Sequence, residues 1–278
     1  MNQYAVWGNP IIQSKSPHIH QLFAQQTERA VMYQAMLGDE KLFEQQLEQF
    51  FVKGAKGANI TAPFKERAFK LADCYSERCL LAEACNTLVK LEDGRLYADN
   101  TDGVGLAADL ARLGWLLPRQ NILILGAGGA AKGVLYPLLQ AEQRITLFNR
   151  THEKAVSLVK KFAKFGVIQT ACWEELNDRD RDFDVIINAT SLGLQGKSVD
   201  LPSSLFKDTK VYDMQYSLES NTPFLNYAHS QGANMLQDGI GMLVGQAAFS
   251  FELWEGVLPN IMPIISHLKM TGQQCIKQ

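Results

Sequence analysis

The sequence is poor in cysteine, has no excess of charge of either sign and lacks any long apolar run. Its five cysteines include no CxxC pair and no zinc-like spacing with histidine, so we expect reduced thiols and no metal site. The chain has 27 lysine and arginine residues and 29 aspartate and glutamate residues, which gives a formal net charge of −2. This net charge would not attract the protein to nucleic acid or to an anionic membrane. We therefore expect a globular protein whose partner is a small molecule, bound at a local site.

Neither a membrane span nor a signal peptide is recognisable. The longest nearly apolar stretches, residues 122–131 and 239–251, are shorter than the roughly 18 residues that a membrane helix needs. The first ten residues lack the basic and apolar regions of a signal peptide. We expect a cytoplasmic protein.

The pattern of the chain predicts two α/β parts. The 278 residues correspond to nearly two domains of about 150 residues each. In the first part β-rich runs alternate with helical patterns, Ser16-Pro17 predicts the N-cap and first residue of a helix, and residues 92–94 predict a hairpin turn. From Asn121 a second alternation predicts a Rossmann-type, doubly wound parallel sheet.

A glycine-rich loop follows the predicted strand at residues 121–125. Gly126, Gly128 and Ala131 fit the pattern G-x-G-x-x-A between a strand and a helix. Glycine permits the tight turn and lets a pyrophosphate approach the backbone, and the helix N-terminus offers unpaired N–H groups to the anion. The pattern favours a dinucleotide site over a glycine turn that serves packing alone.

The end of the next predicted strand indicates which dinucleotide is bound. Folds that bind NAD usually place an acidic residue there, whereas this chain has Asn149-Arg150-Thr151. A guanidinium can hold the 2′-phosphate of NADP through paired, charge-assisted hydrogen bonds, and we expect Lys154 to share one helix face with Arg150. The sequence therefore favours NADP over NAD. The alternative is a solvated basic turn, whose charge would oppose the helix dipole.

For three other residues, the sequence alone does not distinguish a functional role from a structural one. Lys65 follows Thr61 where a predicted strand gives way to a helix, a place where ligands gather, but a single lysine there is commonly a surface charge. Asp102 could take part in chemistry or merely charge the first turn of its helix. Gln246 lies among apolar residues of a predicted helix, so its amide needs a partner, which the backbone or water could supply.

Taken together, the motifs resemble those of the shikimate dehydrogenases, NADP-dependent enzymes that reduce 3-dehydroshikimate to shikimate on the route to chorismate and the aromatic amino acids. The resemblance covers essentially the whole chain. Its motifs are Ser14-Lys15-Ser16-Pro17, Asn59-Ile60-Thr61 with Pro63-Phe64-Lys65, Asn86-Thr87, Asn100-Thr101-Asp102-Gly103, Gly126 to Ala130, Asn149-Arg150-Thr151, Asn188-Ala189-Thr190-Ser191 and Gly239 to Ala247. It implies a substrate-binding domain of residues 1–101, completed by C-terminal helices in residues 240–278, and a Rossmann NADP-binding domain of residues 102–239.

The resemblance also implies roles for single residues. Lys65 and Asp102 correspond to the catalytic pair, with the lysine as proton donor in the reduction and the aspartate as its orienting partner. The residues that correspond to substrate contacts are Ser14 and Ser16 at the carboxylate, Thr61, Asn86 and Gln246 at the ring oxygens, and Tyr216 in the same cleft. The expected cofactor contacts are Gly126, Ala127, Gly128, Gly129 and Ala130 in the glycine loop, Asn149, Arg150 and Thr151 at the adenosine 2′-phosphate, Thr190 at the border of the cofactor, and Met214 and Gly239 near the nicotinamide. Lys154 joins the 2′-phosphate contacts because of its charge and its spacing from Arg150.

Two other functions stay open at this point. A quinate/shikimate dehydrogenase has a similar fold and often uses NAD, against which Arg150 argues. A sensor that binds NADPH without catalysis would need the glycine loop and Arg150 but not Lys65, Asp102 and Gln246 together. The assembly is left open between a monomer and a homodimer.

Overall fold

The computed structural model describes residues 1–177 and 183–275, with side chains in the last helix as far as Thr271. The predicted thiol of Cys275 and positions 276–278 of the predicted C-terminal segment lie outside that description. The chain divides into two compact units. One comprises Met1–Gly105 and Val244–Ile264, and the other comprises Leu106–Leu243 and the residues from Ile265 onward.

The first unit is built on a six-stranded mixed sheet. Its strands are β1 (Asn2–Gly8), β2 (Val31–Leu37), β3 (Gly57–Ile60), β4 (Cys74–Tyr75), β5 (Thr87–Lys90) and β6 (Leu96–Asp99). The spatial order is β2-β1-β3-β5-β6-β4. Strand β1 runs parallel to β2 and β3, and β5 is antiparallel to both β3 and β6. Strands β1, β3 and β6 therefore end at the same edge of the sheet.

The second unit contains a six-stranded sheet whose paired strands all run parallel. Its strands are β7 (Asn121–Leu125), β8 (Arg144–Phe148), β9 (Ile168–Thr170), β10 (Val185–Asn188), β11 (Lys210–Asp213) and β12 (Met235–Gln237). The order β12-β11-β10-β7-β8-β9 places the first strand in the middle, so the winding reverses between β7 and β10. The predicted doubly wound parallel sheet is confirmed, and ligands of such sheets bind where the winding reverses.

Helices join and flank the strands. They are α1 (Ser16–Thr27), α2 (Phe43–Val52), α3 (Lys65–Leu71), α4 (Glu77–Ala82), α5 (Asp102–Arg112), α6 (Gly129–Gln140), α7 (His152–Phe162), α8 (Trp173–Asn177), α9 (Pro223–Ser230), α10 (Ile240–Glu255) and α11 (Ile261–Cys275). Short 3-10 helices span Ala163–Phe165, Leu192–Gln195 and Ser203–Phe206.

The start of α1 corrects one prediction. Ser16 is the first residue of the helix, and Lys15 occupies the N-cap without a side-chain hydrogen bond. Ser14 Oγ accepts the backbone N–H of Ser16 at 3.3 Å, so a hydroxyl two residues earlier takes up an N–H that the first turn leaves unpaired. Pro17 still lies in the first turn, where its missing N–H costs nothing.

The second half of α10 packs within the first unit. The Trp254 ring stacks on Tyr4 with 4.5 Å between centroids, and its Nε1 donates to the carbonyl oxygen of Leu88 at 2.9 Å. A Cβ at Gly57 would lie 2.2 Å from that Nε1, so β3 needs glycine at this position. Glu255 accepts hydrogen bonds from Asn2 and Tyr4.

An aromatic cluster in the same unit encloses a histidine. His20 is fully buried and its ring lies parallel to that of Tyr33, with 4.1 Å between centroids. Phe251 and Trp254 also pack near it. Neither ring nitrogen has a hydrogen-bond partner among the described residues, and burial lowers the pKa of His20 from 6.5 to about 3.

This burial predicts a loss of stability in acid. As the pH is lowered below 6.5, the unfolded chain takes up a proton at His20, whereas the folded protein does not do so until about pH 3. The free energy of unfolding therefore decreases as the pH is lowered from 6.5 to about 3. The slope due to this group is about 1.4 kcal/mol per pH unit. Urea titrations from pH 7 to pH 4.5 should show a shallower decline for His20→Phe than for the parent. The exposed control His229→Gln should decline like the parent, and an equal slope in all three proteins would contradict the prediction.

Candidate functional site

Residues from distant parts of the chain meet at the edge of the first sheet where β1, β3 and β6 end. Ser14 and Ser16 follow β1, Thr61 directly follows β3, and Lys65 begins α3. Asp102 begins α5, three residues after the end of β6. The topology therefore collects at one edge most of the residues predicted to act on the substrate.

Lys65, Asn86, Asp102 and Gln246 form one hydrogen-bonded cluster. Lys65 Nζ donates to Asp102 Oδ2 at 2.5 Å. Asn86 Nδ2 donates to Asp102 Oδ1 at 2.9 Å and to Gln246 Oε1 at 3.2 Å, so the amide of Gln246 has the partner that its apolar surroundings require. The side chains of Lys65 and Asp102 are 30% and 16% exposed. Solvent and ligands can therefore reach the ammonium, whereas the carboxylate is mostly covered.

A buried polar network supports this cluster, and the sequence analysis missed it. Asn86 Oδ1 accepts the N–H of Thr101 and the hydroxyl of Thr87, both at 2.8 Å. Thr101 Oγ1 donates to the carbonyl oxygen of Gln246 at 2.9 Å. Ser250 Oγ lies 2.7 Å from Thr87 Oγ1 and 3.2 Å from Thr101 Oγ1. The spacing of four between Gln246 and Ser250, two polar residues on one face of an apolar helix, is a signal that could have identified Ser250.

Asn59 and Tyr33 extend the network toward Ser16. Asn59 Nδ2 donates to the carbonyl oxygen of Asn86 at 3.1 Å and to Ser250 Oγ at 3.0 Å. Asn59 Oδ1 accepts from the Tyr33 hydroxyl at 2.7 Å, and the Ser16 side chain lies beside that hydroxyl. Burial raises the pKa of Tyr33 well above its ordinary value, so the phenol remains a proton donor. The sequence predicts no role for Tyr33, and it includes Asn59 only as part of a motif.

Two more of the predicted substrate residues have different surroundings. The Thr61 side chain lies over Gly8, where a Cβ would come within 2.4 Å of Thr61 Cγ2, and its N–H donates to the carbonyl oxygen of Trp7 at 2.8 Å. Tyr216 belongs to the second unit and follows β11. Burial raises the pKa of its phenol.

The second unit contains a cavity of about 590 Å³ at the carboxyl ends of β7, β8 and β10. Its volume lies in the range of small-molecule sites. The residues predicted to bind the cofactor that line it are Gly126, Ala127, Gly128, Gly129, Ala130, Asn149, Arg150, Thr151, Lys154 and Thr190. The glycine loop and the end of the next strand, which sequence reasoning treated as separate signals, thus face one cavity.

The glycine loop leaves open space beside its backbone. Gly126 has φ +106°, which a residue with a side chain adopts only with strain. Gly128 is the N-cap of α6 and Gly129 its first residue, and a Cβ added at either would meet no atom within 4 Å. The N-terminus of a twelve-residue helix therefore borders a space that an anion can enter.

Arg150 and Lys154 line the cavity from different elements, which corrects the predicted shared helix face. Helix α7 begins at His152 with Thr151 as its N-cap, so Arg150 lies in the loop before it. Both cations are exposed, and neither makes an ion pair within residues 1–177 and 183–275. Asn149 fixes this loop, since its Oδ1 accepts the N–H of Ala127 at 3.1 Å and its Nδ2 donates to the carbonyl oxygen of Thr151 at 2.7 Å.

Met214 and Gly239 lie side by side after β11 and β12 and are not among the residues that line this cavity. A Cβ at Gly239 would come within 2.3 Å of the Met214 carbonyl oxygen. The Gly239 N–H donates to the carbonyl oxygen of Gln215 at 2.9 Å, and the Met214 N–H donates to that of Asn188 at 3.0 Å.

Four large apolar side chains that were not predicted also line the cavity. They are Phe148, Trp173, Leu192 and Val199. The rings of Phe148 and Trp173 pack against each other, with 6.0 Å between centroids and 48° between planes. Trp173 lies just beyond the short strand β9, in a segment that contains no recognisable motif. The sequence alone therefore gave no indication that Trp173 lines the cavity.

The part of the chain that the structure describes contains neither a metal-binding cluster nor a membrane-spanning helix. No group of three or more histidine, cysteine, aspartate or glutamate side chains there is arranged to hold a metal ion. No helix there is long and apolar enough to cross a membrane.

Three family models match the chain. The model described as shikimate dehydrogenase substrate binding domain matches residues 6–88, that of shikimate / quinate 5-dehydrogenase matches residues 109–194, and that of the shikimate 5′-dehydrogenase C-terminal domain matches residues 239–267.

Relatives of known name and structure cover nearly the whole chain. The shikimate dehydrogenase (NADP(+)) of Glaesserella parasuis is 70% identical over 97% of this chain and 98% of its own length. The crystal structure of an Ael1 enzyme from Pseudomonas putida has 43% identity and a TM-score of 0.91 over 96% of this chain and 98% of its own. Shikimate 5-dehydrogenase from Thermus thermophilus, solved in complex with NADP(H) and shikimate, has 28% identity and a TM-score of 0.84 over 98% of this chain and 100% of its own.

Proposed function

The chain belongs to the shikimate dehydrogenase family, and we propose that it catalyses the reversible, NADPH-dependent reduction of 3-dehydroshikimate to shikimate. The observation that carries the proposal is the contact of Lys65 Nζ with Asp102 Oδ2 in a cluster with Asn86 and Gln246. A sensor that only binds NADPH has no use for this arrangement, because a partly exposed ion pair by itself contributes only about 0–1 kcal/mol to stability.

Lys65 moves the proton in this reaction. As the carbonyl carbon of the substrate gains a hydride, Lys65 Nζ donates a proton to the carbonyl oxygen, and the C=O group becomes CH–OH. Asp102 orients the ammonium through Oδ2 while Asn86 holds Oδ1. In the reverse direction the neutral amine accepts the hydroxyl proton.

The other proposed substrate contacts of the first unit are Ser14 and Ser16, which bind the carboxylate, and Thr61, Asn86 and Gln246, which bind the ring oxygens. Tyr216, in the second unit, is a further proposed contact that rests on the family resemblance alone. Within the first unit, Asn59 positions Asn86 through the hydrogen bond to its carbonyl oxygen and accepts a hydrogen bond from Tyr33, whose hydroxyl lies beside Ser16.

NADPH supplies the hydride when it is bound in the second unit. The residues there fit the cofactor, because the open space beside Gly128 and Gly129 suits a pyrophosphate and the two exposed cations suit a 2′-phosphate. Gly126 to Ala130 would hold the pyrophosphate, Asn149 to Thr151 with Lys154 would hold the 2′-phosphate, and Thr190 would border the cofactor. Met214 and Gly239 would approach the nicotinamide.

Steady-state kinetics with two substrate pairs test the proposed function. Oxidation of shikimate with NADP should be efficient, and oxidation of quinate with NAD should be slower by orders of magnitude in kcat/KM. Comparable rates with both pairs would establish a quinate/shikimate dehydrogenase instead. Absence of turnover with both pairs, in a protein that still binds NADPH, would establish the sensor.

A substitution that displaces Gln246 should weaken substrate binding alone. A Cβ at Gly105 would lie 2.5 Å from the Gln246 backbone nitrogen and 2.8 Å from its Cβ, so Gly105→Ala pushes the two helices apart at this residue. Loss of one well-placed hydrogen bond corresponds to about a tenfold rise in the KM for shikimate. The dissociation constant for NADP should stay within about twofold.

A matched control separates this effect from a loss of stability. Gly54 has φ +101° and open space around it, so Gly54→Ala strains the backbone of the first unit without touching Gln246. Its KM should equal that of the parent. An unchanged KM in Gly105→Ala would remove Gln246 from the proposed substrate contacts.

We also propose that the enzyme acts in the cytoplasm as a monomer or homodimer. The location rests on the five cysteines, whose spacing forms no CxxC pair and is that of reduced thiols. Light scattering coupled to size-exclusion chromatography distinguishes the two assemblies, and a mass above twice 31.0 kDa would contradict both.

A further inference from the structure

We propose that Trp173 is the residue on which the adenine ring of the cofactor stacks, an inference that rests on the proposed NADPH-dependent function. Trp173 begins α8, directly after the segment that leaves β9, and its side chain lines the cavity that holds the glycine loop. Its side chain is 39% exposed. A planar apolar ligand would cover this surface.

The position of the ring matches the geometry of an adenosine 2′-phosphate. Strands β8 and β9 are parallel neighbours, so the residues that follow them lie at the same edge of the sheet. Phe148 is the last residue of β8, it packs against Trp173, and it precedes Arg150 by two positions. Because the 2′-phosphate and the adenine are carried by the same ribose, a cation that binds the first fixes the second nearby. Phe148 and Trp173 are the aromatic side chains that line the cavity, and the indole of Trp173 is the exposed one.

The chemistry of the cavity lining agrees with a base as the occupant beside Trp173. Phe148 packs against Trp173, Leu192 and Val199 also line the cavity, and Arg150 and Lys154 supply positive charge. A nicotinamide or a free phosphate has no need of apolar side chains together with two cations, whereas a purine with a phosphorylated ribose uses both. The alternative is that Trp173 only shields Phe148 from water, in which case the affinity for a ligand would not depend on the indole.

Adenosine 2′,5′-bisphosphate is the probe that separates these possibilities, because it carries the adenine and the 2′-phosphate but no nicotinamide. The full chain contains four tryptophans, and Trp173 is the one that lines the cavity. The bisphosphate should therefore quench part of the parent's fluorescence, and nicotinamide mononucleotide should not. In Trp173→Phe the quenching should disappear while calorimetry gives a dissociation constant within about threefold of the parent, because a phenyl ring still stacks.

Loss of the aromatic ring should weaken binding. Stacking of a base on an aromatic side chain corresponds to roughly a five- to hundredfold change in a binding constant. Because Trp173 is only partly exposed, we expect Trp173→Ala to raise the dissociation constant for the bisphosphate by about five- to thirtyfold. Trp173→Leu, which keeps more of the apolar volume, should show most of the same loss and guards against misfolding of the alanine variant. Trp115→Phe, in the same unit, should alter neither affinity nor quenching.

The outcomes distinguish this inference from the proposed function. Equal bisphosphate affinity in the parent, Trp173→Ala and Trp173→Leu would overturn the stacking role and leave NADP-dependent catalysis intact. Quenching of the parent that persists in Trp173→Phe would overturn it as well. A parent that binds no bisphosphate at all would contradict both the inference and the proposed use of NADP.

Discussion

Lys65→Ala is expected to lower the kcat for shikimate oxidation by about a hundredfold to ten-thousandfold, the usual contribution of a general acid or base. The Lys65 ammonium is the donor in the cluster that reaches solvent, and it donates to Asp102 at 2.5 Å. Alanine removes the proton carrier and leaves the cofactor site in the second unit untouched. The dissociation constant for adenosine 2′,5′-bisphosphate should therefore stay within about twofold of the parent value.

Asp102→Asn should give a loss of the same kind by a different route. The amide keeps the size of the carboxylate, but it removes the charge that orients the ammonium and presents an N–H₂ group to Lys65 or to Asn86, each of which is a donor. The kcat should fall by at least about a hundredfold. Asp93→Asn, which breaks the exposed ion pair with Arg95 on the hairpin, is the matched control and should leave kcat unchanged.

Stopped-flow or steady-state measurements of kcat for these variants, with Lys70→Ala as a surface control on the same helix, complete the test. A Lys65→Ala enzyme that retains kcat within threefold of the parent would remove Lys65 from proton transfer. A large loss of bisphosphate affinity in either variant would instead show that the substitution disturbs the second unit.

The sequence predicted those parts of the fold that depend on local pattern. The glycine loop, the buried run at residues 121–125 and the hairpin turn at Gly94 are each set by neighbouring residues, and all three appear as expected. The prediction for the start of the first helix was less accurate. Whether Ser14 or Ser16 accepts a backbone N–H of the first turn depends on loop geometry that no local pattern specifies.

The candidate site was harder to predict because most of its support is long range. Asn86 contacts Gln246, which is 160 positions away, and Asn59 contacts Ser250, which is 191 positions away. Single polar residues at such separations carry no pattern until the sheet order is known. The resemblance to a known family supplied the residues at the cluster, but Tyr33 and Trp173 emerged only from contacts in three dimensions.

Arg150→Ala is expected to raise the KM for NADP by about tenfold to more than a hundredfold while the weak use of NAD stays nearly unchanged. A charge-assisted, bidentate contact with a phosphate contributes about 1.5–3 kcal/mol, which corresponds to that range in affinity. The exposed guanidinium lines the cavity and has no carboxylate partner among the described residues, so its charge is available to a ligand. NAD has no phosphate at this position and gains nothing from the arginine.

The measurement compares kcat/KM for NADP and for NAD in the parent, in Arg150→Ala and in Arg144→Ala, the last being an exposed arginine at the opposite end of the same strand. The parent should prefer NADP, and Arg144→Ala should keep that preference. Lys154 lines the same cavity from α7, so Arg150→Ala should retain a small preference that the double substitution with Lys154→Ala removes. If Arg150→Ala weakens both cofactors equally, or if the parent uses both equally well, the guanidinium does not recognise the 2′-phosphate, and a broader quinate/shikimate dehydrogenase becomes the better description.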